Sequence, residues 1–249
     1  MALIEFVDLT KRYGRLTAVE DLTFTLASGR VTGFVGANGA GKTTTMRMLL
    51  GLTRPTAGRA TIGGVPYAAL REPMRSVGGM VDPNVFHPRR SARNALRTIA
   101  RVADIPTTRV DEVLATVGLT DAARRRVGGF STGMRQRLAL GAALLGDPET
   151  LVLDEPANGL DPEGVHWLRR LIRGMASEGR TVFVSSHLLA ELAQTVDDIV
   201  IIANGRLVTH QPMASLLGEA KDSSLEDVYL SLVAPDGATA STPTSKDAS

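Results

Sequence analysis

Residues 36–45 read GANGAGKTTT, with three glycines in six positions followed by one lysine and three threonines. Upstream, 30–36 (RVTGFVG) is an apolar run ending in glycine and reads as a buried strand. Downstream, Met46, Leu49 and Leu50 fall at helical spacing, and Gly51 supplies a stop. The stretch therefore joins a strand to a helix. Gly36, Gly41, Lys42 and Thr43 fit the pattern G-x-x-x-x-G-K-[ST]. Glycines let the backbone curl so that successive N–H groups point inward at phosphate oxygens, and the positive end of the helix adds to the attraction. Lys42 offers a compact cation to β- and γ-phosphates, and the Thr43 hydroxyl suits Mg²⁺.

Such a loop needs an acidic strand beside it, and 151–156 (LVLDEP) supplies one. Asp154 ends the apolar run, where it can hold Mg²⁺ directly or through water. Glu155 next to it can polarise a water for in-line attack on a γ-phosphorus.

The rest of the chain is organised around these two segments. Strands are expected at 3–8, 22–26, 76–81, 150–154, 181–186 and 198–203, with shorter candidates in the Gly/Pro-rich 51–67. Helices are expected near 92–103, 110–117, 131–145, 161–176 and 188–195. Apolar strands alternating with helices predict an α/β fold with a mostly parallel central sheet and an N-terminal antiparallel β region. A single domain over 1–232 is expected, its core formed by 1–82 and 147–220. A helical subdomain is inserted at about 83–146, and a C-terminal helix lies at about 224–232. Residues 234–249 (small, polar and aperiodic) are expected to be disordered.

Composition narrows the function. The chain has 249 residues, 43% of them hydrophobic, enough for a substantial core. A formal net charge of +2 gives no reason to expect nucleic acid as a partner, although the pI is about 9.2. The absence of cysteine removes disulfides and thiolate metal sites and fits a reducing compartment. The first residues, MALIEFVDLTKRYG, lack the pattern of a signal peptide. No apolar run approaches the roughly 20 residues that span a bilayer, so a membrane role would require a second polypeptide.

Residues 130–138, FSTGMRQRL, carry a resemblance to the ABC-type ATPases, and it extends over 3 to about 232. The family's signature is Leu-Ser-Gly-Gly-Gln; here it is Phe130-Ser131-Thr132-Gly133-Met134. Ser131 is a good N-cap and Gly133 allows close approach, so this helix start can receive a γ-phosphate. Thr132 and Met134 depart from the strict form and resemble exporter ATPases that pair with separately encoded multi-spanning permeases. The resemblance implies ATP and Mg²⁺ as ligands. It also implies that Tyr13 stacks on adenine, that Asp161 lies at a subunit interface, and that His187 contacts the γ-phosphate and organises the attacking water. Asp82 stands where the family usually has glutamine, and related exporters often carry an acid there; it is expected near the magnesium or the water. His87, His166 and His210 match no family position and read as structural or surface residues.

The resemblance further implies that two ATPase subunits close face to face on two nucleotides. Each nucleotide would lie between Gly36–Thr44 of one chain, including Asn38, Gly39, Ala40 and Thr44, and Ser131–Met134 of the other. The partners implied are a second ATPase subunit and an integral-membrane permease, with the chain peripheral on the cytoplasmic face. Export of a drug, antibiotic, lipid or peptide is the leading expectation. A soluble ABC ATPase acting on ribosomes, DNA or iron–sulfur assembly is the alternative.

Overall fold

The computed structural model describes residues 3–187, 189–219 and 225–233. The chain runs β1 (Ile4–Tyr13), β2 (Leu16–Leu26), β3 (Val31–Val35), α1 (Lys42–Leu49), β4 (Ala57–Ile62), α2 (Pro73–Ser76), β5 (Val77–Met80), α3 (Ala92–Val102), α4 (Arg109–Thr116), α5 (Thr132–Leu144), β6 (Thr150–Leu153), α6 (Pro162–Ser177), β7 (Thr181–Ser186), α7 (Leu189–Leu192), β8 (Asp198–Ala203), β9 (Arg206–Pro212), α8 (Met213–Glu219) and α9 (Leu225–Val233). Two sheets form, an antiparallel β2-β1-β4 and a larger one ordered β5-β6-β7-β3-β8-β9. In the larger sheet the pairings from β5 through β8 are parallel, and β9 adds antiparallel to β8.

The parallel strands are mostly apolar, without polar alternation, because both faces of their sheet are covered. Phe34, Val152, Phe183, Val200 and Ile202 pack on one side, with Met46 of α1 and the apolar residues of the antiparallel sheet. Val31, Val35, Leu151, Leu153, Val182, Val184, Ile199 and Ile201 face the other side, against Leu168 and Ile172 of α6. Four phenylalanines join the two sheets. The Phe6 and Phe24 rings stack at 4.4 Å, and Phe183 lies 5.0 Å from Phe34 and 6.0 Å from Phe6, centroid to centroid.

The expected helical segment, 83–146, holds α3, α4 and α5. Serines start two of these helices. The Ser91 hydroxyl accepts from the Asn94 N–H at 3.3 Å, and the Ser131 hydroxyl accepts from the Met134 N–H at 3.2 Å. Leu96, Val113, Leu114 and Leu138 of this segment share one apolar cluster with the sheet. At the segment's exit, Asp147 accepts from Arg109 of α4 and from Arg180 just before β7. The Arg180 hydrogen bond holds the Asp147 carboxyl below its ordinary value.

The main differences from the sequence expectation lie in β1, β2, β9 and α8. β1 and β2 extend well beyond 3–8 and 22–26, meeting at Tyr13 and Leu16. Register shifts between Phe6 and Leu9, Leu9 and Lys11, and Lys11 and Arg12 break the period-2 pattern that marks a strand. β9 and α8 had no counterpart in the sequence reading, because β9 is a partly exposed edge strand with weak apolar alternation. Its signal was the dipeptide Asn204-Gly205, whose φ values of 50° and 79° make the hairpin turn between β8 and β9.

Replacing Phe183 by alanine removes the ring that touches both sheets, and it is fully buried. Stability measured by urea denaturation should fall by about 3–5 kcal/mol, the range for buried Phe→Ala changes; a loss below about 1 kcal/mol would contradict the role assigned to this cluster.

Candidate nucleotide-binding site

Residues 36–41 leave the end of β3 and turn into α1 under tight steric limits. A Cβ on Gly36 would lie 2.5 Å from the Ile202 carbonyl oxygen. A Cβ on Gly41, whose φ is 107°, would lie 2.6 Å from the Ala18 carbonyl oxygen. Only glycine fits either place. The loop is stitched to its surroundings through main-chain groups. Ala40 N–H donates to the Ala37 carbonyl at 3.0 Å, and Gly205 N–H, at the β8–β9 turn, donates to the Ala40 carbonyl at 3.0 Å. Gly205 in turn accepts from the Glu20 N–H of β2 at 2.8 Å.

Lys42, the first residue of α1, is 6% exposed. Its ammonium donates to the Gly36 carbonyl at 2.6 Å and lies 3.3 Å from Glu155 Oε1. The Thr43 hydroxyl donates to Asp154 Oδ2 at 2.6 Å, and the Ser185 hydroxyl donates to Asp154 Oδ1 at 2.6 Å. The other carboxylate oxygen of Glu155, Oε2, lies 2.8 Å from His187 Nδ1. With a carboxylate as its partner, the neutral ring carries its proton on Nδ1 and leaves Nε2 as an acceptor.

Lys42, Thr43, Glu155 and His187 line one cleft, open to solvent, with Asn38, Gly39, Thr44 and Asn158 also on its walls; Asp154 is tied to it through the Thr43 hydroxyl. The cleft sits where the C-terminal ends of the parallel strands meet the start of α1, the usual ligand position in open α/β sheets. Lys42 and the start of α1 favour an anion there. The Thr43 and Asp154 oxygens are hard donors already in contact, and one carboxylate plus one hydroxyl suits a magnesium ion whose remaining ligands are phosphate oxygens and water.

The remaining expected site residues lie outside this cleft. Tyr13 ends β1 at 49% exposure, and the Lys11 ammonium sits 4.8 Å from its ring centroid. Asp82 is exposed beyond β5, and its Oδ1 accepts from the Asn84 N–H at 2.8 Å. Ser131, Gly133, Met134 and Asp161 line a second cleft together with Thr132, Gly159 and Leu160. Asp161 caps α6 by accepting from the Gly164 N–H at 2.8 Å. Sequence reasoning missed Ser185, which bridges the two acidic residues; its only signal was its place two residues before His187.

Comparison with known proteins follows the same residues. The ABC transporter family profile matches residues 19–158. The chain is 44% identical over 217 residues to the bacitracin transport ATP-binding protein BcrA of Bacillus licheniformis, covering 86% of this chain and 71% of that one. It is 33% identical over 206 residues to the lantibiotic transport ATP-binding protein SrtF of Streptococcus pyogenes, covering 83% of this chain and 89% of the other. A solved structure described as the ATP binding subunit of an ABC transporter superposes with a TM-score of 0.82 at 27% identity, over 92% of this chain and 99% of that one. On matches that run through the glycine loop and the acidic strand alike, the chain belongs to the ABC transporter family.

Proposed function

We propose that the chain hydrolyses Mg-ATP to power a separately encoded membrane permease in an export system. The observation that carries the chemistry is the convergence of Lys42, Thr43 and the Glu155–His187 pair on one cleft, with Asp154 bonded to the Thr43 hydroxyl. The main-chain amides of 36–44 and the Lys42 ammonium bind the β- and γ-phosphates. Thr43 and Asp154 would hold magnesium, which would offset the charge on the phosphate oxygens. Glu155 accepts a proton from the attacking water. His187, held through Nδ1, directs Nε2 toward the γ-phosphate or the water. The Lys42 ammonium lies 3.3 Å from Glu155 Oε1, and a bound triphosphate would compete for that ammonium and leave the carboxylate to act as base.

Two copies would close face to face. The Gly36–Thr44 cleft of one copy would then meet the Ser131–Met134 surface of the other across the γ-phosphate. The separation of these two clefts on one chain supports that reading. Hydrolysis removes the bridging phosphate, so nucleotide biases a two-state closure. Tyr13, exposed at the end of β1, would stack on the adenine, and Asp161 would sit at the interface. Among the described residues no helix is long and apolar enough to cross a membrane. Attachment to the cytoplasmic face would come from the permease. The names of these relatives, bacitracin and lantibiotic transport, favour a peptide antibiotic or similar compound as cargo.

Glu155→Gln should lower kcat of the Mg-ATPase by about 10²–10⁴-fold while ATP binding persists, the range for loss of a general base. An undiminished rate would refute the base assignment. The same variant should elute as a dimer with ATP and as a monomer with ADP; identical elution in both nucleotides would refute closure. Lys42→Ala should weaken ATP binding by about tenfold or more in calorimetry, as loss of a charge-assisted contact requires; an unchanged Kd would refute the phosphate-loop role.

A further inference from the structure

Glu155 has a φ of 48°, in the left-handed region where side chains other than glycine are disfavoured. Such a conformation persists only when its surroundings over-determine it. Both polar groups of this residue's main chain are held. Its N–H donates to Ser185 Oγ of β7 at 2.8 Å. Its carbonyl accepts from the Asn158 N–H at 3.2 Å and from Gln136 Nε2 at 3.0 Å.

Gln136 is 4% exposed, in the second turn of α5, and its amide reaches across to the end of β6. A buried amide carries a desolvation cost unless it finds a partner, and the partner here is the backbone of the residue read as the base. The direction of the Glu155 side chain follows from its φ. A shift to the right-handed region would swing the carboxylate out of its place between Lys42 and His187. Because α5 begins at the Ser131 cap, a displacement of that helix is transmitted to the Glu155 carbonyl through this bond.

We propose that Gln136 is a positioning residue for ATP hydrolysis, holding the Glu155 main chain in the left-handed conformation that aims its carboxylate at the cleft. The proposal rests on the reading of Glu155 as the base.

The test uses Gln136→Met, which keeps length and removes the donor. Rates are normalised to the number of sites that bind a non-hydrolysable ATP analogue with magnesium, so that partial unfolding does not enter. The expected result is a fall in kcat of about tenfold, with KM for ATP and the analogue's Kd within about twofold of wild type. Gln136→Asn, whose amide is too short to reach, should show the same split and serves if the methionine variant does not accumulate. In the double variant with Glu155→Gln, no loss beyond that of Glu155→Gln alone is expected, because the two act as one unit. A kcat equal to wild type in Gln136→Met, or a change confined to KM or to the number of binding sites, overturns the proposal. Glu155→Gln run in parallel separates the two readings. If it is inactive while Gln136→Met is fully active, only the positioning role fails; if it retains full activity, the base reading fails with it.

Discussion

The Asp154 carboxylate is the junction on which the site depends. One oxygen accepts from Thr43 at the start of α1, the other from Ser185 in β7, and the Asp154 N–H donates to the Met80 carbonyl of β5. Thr43 and Asp154 are 111 positions apart in the chain, so the contact exists only because the sheet order β5-β6-β7-β3 brings these strand ends together. A carboxylate that accepts on both oxygens is fixed in orientation, and it fixes in turn the hydroxyl that would share a metal with it. Ser185 extends the network to the Glu155 N–H. Glu155, the proposed base, and Asp154, the proposed metal ligand, are thereby held by a single hydroxyl.

Much of this was legible in the sequence for one physical reason. Strands buried on both faces are largely apolar rather than alternating, so 31–35, 150–153, 181–186 and 198–203 stood out at nearly their observed limits. The glycine loop was equally plain, since the steric conflicts at Gly36 and Gly41 leave only one residue type. Harder to read were groups whose work is to hold main chain. Ser185 sits in a strand and Gln136 in a helix, and neither disturbs the period of its element. β1 was underestimated because its bulges shift the alternation, and β9 because an edge strand with one wet face carries little apolar signal.

The residues that stand apart from the cleft, Tyr13, Asp82, Ser131, Gly133, Met134 and Asp161, came from family resemblance rather than from any local constraint. Among the described residues, none of them lines the cleft that holds Lys42. Four of them form a surface of their own, where small residues keep the backbone close: a Cβ on Gly133 would lie 3.0 Å from the Gly159 carbonyl. A surface of this kind has capped helix starts and little side-chain bulk, and it can approach an anion held elsewhere. Two separate surfaces of this kind on one molecule are what the proposed closure of two copies on nucleotide requires.

The turn at Asn204-Gly205 carries a consequence for how the molecule is assembled. Its amide holds the Ala40 carbonyl, a partner separated from it by most of the chain. Contacts of such long sequence separation must await closure of a large loop and are among the slower events of folding. The glycine loop therefore takes its final shape late in synthesis, after the last strand pair has emerged. A chain interrupted before that hairpin would retain every residue of the phosphate motif and still lack the backing that sets its curvature.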